Sequence, residues 1–288
     1  MSVFFFGFGY SSAATAQAMR ALQPPLLPLA GTVRDPAEAP DAALPLHRFT
    51  GVAPSATLAA DLGAATHVVV SIPPGPAGDV VLAQHANNLA TAPNLKWLCY
   101  FSTVGVYGDF GGAMVDESSP THPVNPRSQQ RVAVEQHWRE FAAARNLPLL
   151  ILRLAGIYGP RRSAFDKLRN GTARRIVKPG QVFNRIHVAD IGRVTALAAA
   201  TRLAGTFNLA DDFATPPQDV VAHAACLLGI APPPEVSYAA AEMTPMARSF
   251  YADNKRVSNA AIKRALGIDL LYPDYRSGLA AILAAERA

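Results

Sequence analysis

The residues best suited to chemistry stand near the start of the chain, where the apolar run Val3-Phe4-Phe5-Phe6 gives way to Gly7-Phe8-Gly9-Tyr10-Ser11-Ser12. A glycine turn that feeds a helix start presents free backbone N–H groups, and those groups hold a pyrophosphate. Gly7 permits the tight turn, Gly9 lets the backbone approach a ligand, and Ser12 puts a small side chain where a dinucleotide fingerprint has its third glycine. A plain strand-to-helix turn without a ligand is the competing reading of this stretch alone. The second chemically loaded point is Arg34-Asp35. A carboxylate there accepts the 2′-OH of NAD, and an arginine fork accommodates the 2′-phosphate of NADP. Arg34 comes first and favours NADP, with NAD as the other option and two loop caps as the third.

These residues need a strand-helix-strand frame, and the flanking pattern supplies one. Four apolar residues in a row fit a parallel strand covered on both faces. An alanine-rich helix is expected over Ala13–Leu22, closed by Pro24, Pro25 and Pro28, and a second strand over Leu29–Val33. The proline-rich stretch Pro36–Pro54 leaves room for one short strand at Leu44–Phe49. The run His67–Ile72 reads as another buried strand, ending at Pro73-Pro74-Gly75-Pro76, so Ser71, Ile72 and Pro73 are expected to face the cofactor. A helix over Ala77–Thr91 leads to the strand Trp97–Phe101, which delivers Ser102-Thr103-Val104-Gly105-Val106-Tyr107-Gly108 at its carboxyl end. Open α/β sheets place ligands there. A strand-ending turn is the alternative role for those hydroxyls. The alternation predicts an α/β chain with a Rossmann-type doubly wound parallel sheet.

Composition sets the bounds. The 288 residues are 50% hydrophobic and 16% charged, which suits a large core and excludes a solvated, disordered chain. The formal charge of +5 is spread thinly apart from Arg161-Arg162 and Arg174-Arg175, so no nucleic-acid partner is expected; small anionic ligands explain the excess. Cys99 and Cys226 lack metal-ligand or redox spacing, so no metal is expected and a reduced compartment is. No apolar run has membrane-spanning length, and no basic leader precedes the first strand; a cytoplasmic protein without a membrane partner is expected.

Several motifs in order resemble the extended short-chain dehydrogenase/reductase family, the NAD(P)-dependent epimerase/dehydratase group. They are G-x-G-Tyr at the first turn, Ser-Thr-x-x-Val-Tyr-Gly at 102–108, Asp116-Glu117 with Pro120, and Arg153-Leu154-Ala155-Gly156-Ile157-Tyr158-Gly159-Pro160. Asn184-Arg185-Ile186-His187-Val188-Ala189-Asp190 is similar to the family's R-D-F-V-H-V-D-D stretch, and Thr206-Phe207-Asn208-Leu209 to its Y-N-I/V strand. The nearest likeness is to the family's atypical branch. The resemblance implies a nicotinamide cofactor held by Gly7, Phe8, Gly9, Tyr10, Ser11, Ser12, Arg34, Ser71, Ile72, Pro73, Ser102, Arg131 and Ala155. It also implies that Thr103 polarises a substrate carbonyl.

The chain departs from the family at its catalytic pair. The family carries Tyr-x-x-x-Lys on the helix after the Ser/Thr strand, with a glutamate four residues on. Glu135 fixes that register here and puts Arg131 at the lysine position and Arg127 at the tyrosine position. Deprotonating an arginine at neutral pH costs roughly 7 kcal/mol, so Arg127 cannot act as the base. It can still clamp an anion or stabilise developing negative charge. Two solvated arginines at i and i+4 are the alternative. The candidate catalytic set is therefore Thr103, Arg127 and Tyr107, with the phenols of Tyr107 and Tyr158 as structural or substrate-lining groups in the family. His122 and Asp116-Glu117 are loop groups that serve either proton transfer or capping. Val104-Gly105 stands where the dehydratase subgroup has Asp-Glu, which argues against sugar dehydration.

The rest of the chain is expected to form a smaller C-terminal substrate lobe, with Tyr158, Arg174, Arg175, Asn184 and His187 as substrate contacts. Helices are expected at Ser163–Asn170, Ala189–Ala200, Pro216–Leu228, Asn259–Leu266 and Ser277–Ala285, and a strand at Thr206–Ala210. The expected division is 1–160 for the dinucleotide part and 161–288 for the lobe, with 186–212 returning to the first. Three functions fit: an NADP(H)-dependent oxidoreductase or epimerase acting on a polar small molecule, nucleotide-sugars included; a cofactor-binding sensor that has lost catalysis; and a structural subunit. The enzyme is favoured, as a monomer or homodimer.

Overall fold

The protein is described by a computed structural model covering residues 1–38, 44–51 and 55–287. Parts of the proline-rich Pro36–Pro54 stretch, residues 39–43 and 52–54, lie outside the described residues. In chain order the first half runs β1 (Ser2–Phe6), α1 (Tyr10–Arg20), β2 (Leu27–Val33), β3 (Leu46–Arg48), α2 (Ala56–Ala64), β4 (His67–Val70), α3 (Val80–Thr91), β5 (Trp97–Thr103), β6 (Met114–Val115) and α4 (Pro126–Ala144). The second half runs β7 (Leu149–Leu154), β8 (Gly156–Tyr158), α5 (Ala164–Arg169), β9 (Arg175–Val177), β10 (Arg185–His187), α6 (Val188–Thr201), β11 (Gly205–Leu209), α7 (Pro217–Leu228), β12 (Glu235–Ser237), α8 (Pro245–Phe250), β13 (Arg256–Val257), α9 (Ala260–Leu266) and α10 (Tyr275–Arg287).

The chain divides into two compact units. The first contains residues 1–103, 126–153 and 188–207. It holds the seven-stranded sheet in the order β11-β7-β5-β4-β1-β2-β3. Strands β3, β2, β1, β4 and β5 pair in parallel. The order reverses between β1 and β4, the switch point at which doubly wound sheets bind ligands. Val3 to Phe6 are fully buried, as a strand covered on both faces requires. One core layer joins Phe4, Phe6, Leu58, Val70, Tyr100 and Trp138. Helix α2, which no sequence signal above singled out, begins at Ser55, whose hydroxyl accepts from Leu58 N at 3.3 Å.

The second unit contains residues 104–125, 154–187 and 208–288. Residues 104–125 and 154–160 thus pack with the second unit, although the expected division assigned them to the first. Its strands form only two-stranded pairs: β8 with β10, β9 with β12, and β6 with β13. Its main core joins Tyr158, Phe165, Val220, Tyr275, Leu279 and Ile282. A smaller cluster joins Ile176, Ala241 and Tyr251, and side chains tie its loops together, such as Lys255 Nζ donating to Gly108 O at 2.7 Å.

Candidate functional site

The turn after β1 is held by its own polar atoms. Gly7 N donates to Thr32 Oγ1 at 2.9 Å and Phe8 N donates to Thr32 O at 2.7 Å, so β2 fixes the turn from one side. The Ser12 hydroxyl donates to Gly7 O at 2.8 Å and to Ser71 Oγ at 3.1 Å, while Ser71 Oγ donates to Gly7 O at 2.5 Å. The serine in the third-glycine position therefore locks the turn to the end of β4. Gly7 has φ +86°, and a Cβ there would lie 2.8 Å from both Ile72 Cγ1 and Ser71 Oγ, so only glycine fits. Gly9 is different. It is extended (φ −107°), and a Cβ there would meet no protein atom within 4 Å. Gly9 is the N-cap of α1, and no side chain caps the helix. An uncapped helix start beside an open glycine face fits a pyrophosphate, whose oxygens take the first-turn donors.

Just beyond β2, Arg34 and Asp35 are both exposed. Asp35 Oδ1 accepts from Ala37 N at 3.0 Å and so is engaged in its own turn, whereas Arg34 presents a guanidinium to solvent. Pro73 is exposed and follows Ser71 and Ile72 off the end of β4.

At the end of β5 the structure assembles a polar network that sequence reading did not find. Glu135, 1% exposed, receives Ser102 Oγ at 2.6 Å, Arg153 Nε at 3.1 Å and Nη2 at 2.8 Å, and Arg139 Nη2 at 3.0 Å. Burial alone would raise its pKa. The Arg153 bond and charge, the Ser102 bond and the Arg139 charge outweigh burial and hold the carboxyl below its usual range. Ser102 was expected to contact the cofactor; its hydroxyl is committed to Glu135 instead. One helical turn earlier, Arg131 is half-buried, and its Nη1 donates to Tyr100 Oη at 2.8 Å and to Phe101 O at 2.7 Å. Arg131 thus grips the tip of β5 next to Thr103, which ends the strand. It is not a solvated helix residue. Arg127, in the first turn of α4, is exposed.

The remaining predicted residues fall in the second unit, and the structure gives most of them structural work. Tyr107 is fully buried, and its hydroxyl donates to Asn208 Oδ1 at 2.8 Å; a phenol so enclosed is a core group, which corrects the catalytic expectation. Tyr158 donates to Asp274 O at 3.2 Å and packs against Gly278, where a Cβ would lie 2.1 Å from its oxygen, so it belongs to the core rather than to a substrate surface. Arg175 Nη2 pairs with Glu235 Oε1 at 2.6 Å and joins β9 to β12. Arg174 Nη1 donates to Glu242 O at 2.6 Å but is otherwise exposed. Asn184 clamps β13: its Nδ2 donates to Lys255 O at 3.0 Å and its Oδ1 accepts from Val257 N at 2.9 Å. The His187 ring lies 4.1 Å from that of Tyr272, tilted 51° to it, and meets Tyr158 edge-on at 5.1 Å; burial lowers its pKa to about 4. Ala155 is buried, with its N–H donating to Leu209 O at 3.0 Å. The loop acids are caps: Asp116 accepts from Ser118 and Ser119, and Glu117 Oε1 accepts from Asn208 N at 2.7 Å.

Comparison with known proteins agrees with this fold. Residues 77–210 match the NAD dependent epimerase/dehydratase family. A functionally unknown conserved protein from Silicibacter pomeroyi DSS is 42% identical, covering 100% of this chain and 99% of that chain with a TM-score of 0.86. UDP-glucuronic acid 4-epimerase from Bacillus cereus, solved in complex with NAD, is 15% identical over 100% of both chains with a TM-score of 0.74, a likeness of fold alone. A dTDP-D-glucose 4,6-dehydratase of Mus musculus is 33% identical over 73 residues, which are 25% of this chain and 21% of that protein, so the match spans about a fifth of that relative's length. From the motifs, the seven-stranded doubly wound sheet and these matches together, the chain belongs to the NAD-dependent epimerase/dehydratase family.

Proposed function

We propose that the protein binds NADP(H) across Gly7–Ser12 and acts as an oxidoreductase or epimerase on a polar, nucleotide-linked small molecule. The carrying observation is the turn itself, bonded to β2 through Thr32 and to β4 through Ser71, with an uncapped helix start and an open Gly9 face. Arg34 supports the phosphorylated dinucleotide, because its guanidinium is exposed while Asp35 is engaged by Ala37 N. When bound, the nicotinamide supplies hydride transfer. In this reading Thr103 donates a hydrogen bond to the substrate, Arg131 steadies the cofactor side of the β5 tip, and Arg127 attracts the substrate's anionic group. Neither arginine takes up a proton, so the acid or base lies elsewhere. The nucleotide-linked substrate is supported by the UDP-sugar epimerase among the structural neighbours.

A second reading, a dinucleotide-responsive sensor without turnover, is favoured by one observation: both members of the family's Tyr-Lys pair are arginine, and one of them is spent on Tyr100 and Phe101. Equilibrium titration separates both dinucleotide-binding readings from a structural subunit without a ligand. Saturable binding of NADPH, tighter than NADH, is expected; failure of either dinucleotide to bind overturns the proposal. Isotope exchange between NADPH and a panel of nucleotide-sugars then distinguishes enzyme from sensor.

A further inference from the structure

The amino-terminal ends of β7 and β11, with the second half of α4, line a groove of about 300 Å3, a volume at the lower end for small-molecule sites. Leu147, Leu149, Ile151 and the two alanines of α4, Ala142 and Ala143, give it an apolar lining. Its polar side chains are Arg139 and Thr206. These two touch, Arg139 Nη2 donating to Thr206 Oγ1 at 3.1 Å.

Glu135 lies between two guanidinium groups, and Arg153 bonds both of its oxygens. The Arg153 side chain is 7% exposed, whereas that of Arg139 is 38% exposed, so Arg139 is the guanidinium that reaches the groove. Arg139 uses Nη2 for Glu135 and Thr206, which leaves Nε and Nη1 as donors for a further acceptor. A neutral apolar occupant would desolvate that guanidinium without pairing it, and a polyanion would meet a single cation beside an oily wall. An apolar body with one carboxylate satisfies both halves.

We propose that this groove is a binding site for a small amphipathic carboxylate, its head on Arg139 and Thr206 and its chain along Leu147, Leu149 and Ile151. The site is separate from the phosphate turn, so its test is independent of the proposed dinucleotide function.

Octanoate is the probe, titrated into the full chain below its micellar range and followed by calorimetry and by 1H–15N shifts of Ala143 and Thr206. Saturable binding is expected, at least about tenfold tighter than octanol, which has the same chain without the charge. Arg139→Gln should weaken octanoate about tenfold and leave octanol unchanged. Because that variant also alters the Glu135 network, Ala143→Phe is the second arm: Ala143 is exposed, and a ring there fills the groove without touching the network. It should abolish binding of both probes while leaving the melting temperature intact. Equal affinity for octanoate and octanol, or octanoate binding unchanged in both variants, overturns the assignment. So does the absence of saturable binding.

Discussion

The two ends of the first unit's ligand edge are built on opposite principles. The floor beneath the β1 turn is neutral: His85, fully buried, sits 4.9 Å from the rings of both Phe6 and Phe49, and neither of its ring nitrogens has a hydrogen-bond partner among the described residues. The floor beneath the β5 tip is ionic, with Glu135 pinned by two arginines and a serine. In the first region the chemistry lies in the backbone, so small and apolar residues are enough. In the second it lies in side-chain charge. The guanidinium of Arg131 therefore adds side-chain charge to the second region and leaves the backbone turn of the first untouched.

Breaking the ionic floor should have the largest effect. Glu135→Ala removes the carboxylate that two nitrogens of buried Arg153 bond, and a loss of about 3–5 kcal/mol in unfolding free energy is expected by denaturant titration. Glu135→Gln keeps the acceptor and should cost less. At the other end, Gly7→Ala forces a side chain into a left-handed backbone and against Ser71 and Ile72. About 3 kcal/mol of stability and most dinucleotide affinity should go together.

Acid sharpens the contrast. Burial lowers the His85 pKa to about 4 from an ordinary value near 6.5. As pH falls the unfolded chain takes up this proton first, so stability present above pH 6.5 drains away down to pH 4, by about 3 kcal/mol. Glu135 is held below its ordinary range, so its contribution survives through most of that window and is lost only as pH falls through its lowered value. The neutral floor should therefore fail first on acidification. Because His67 and His187 are also lowered to about 4, His85→Leu should reduce the slope of stability against pH between 6.5 and 4 by about a third; an unchanged slope would show that His85 does not titrate there.

Smaller effects separate the two arginines. Arg131→Ala should weaken NADPH by about 10- to 150-fold, the equivalent of one charge-assisted bond. Arg127→Ala should spare the dinucleotide. An unchanged NADPH constant in Arg131→Ala would limit Arg131 to bracing Tyr100 and Phe101.

Legibility in the sequence follows the same divide. The first turn and strands β1, β2, β4, β5 and β11 are local patterns, read to within a few residues, whereas β7 was not singled out because its apolar run Leu149–Leu152 follows α4 with only a short break. Helix α2 was missed because its start at Ser55 follows a proline-rich stretch that masks the apolar spacing of Leu58 and Leu62. The Glu135 network was hidden for a different reason: Ser102 and Arg153 lie 33 and 18 residues away, and only tertiary folding makes a carboxylate on a polar-looking helix the hub. Tyr107 and Tyr158 misled in the opposite sense. A phenol in a motif carries no sign of burial, and Asn208 and Gly278, which enclose them, come about a hundred residues later. Arg175 and Asn184 were likewise chemically apt but already partnered, by Glu235 and by the 255–257 backbone.

The central claim, a backbone-built turn that holds NADP(H) with Arg34 reading its 2′-phosphate, is tested most directly by one ratio. Dissociation constants of NADPH and NADH are measured for the natural chain and for Arg34→Ala under identical salt. NADPH binding should weaken by about tenfold or more while NADH is nearly unchanged, because only NADPH offers a phosphate to the guanidinium. Equal loss for both dinucleotides, or loss for neither, would contradict it.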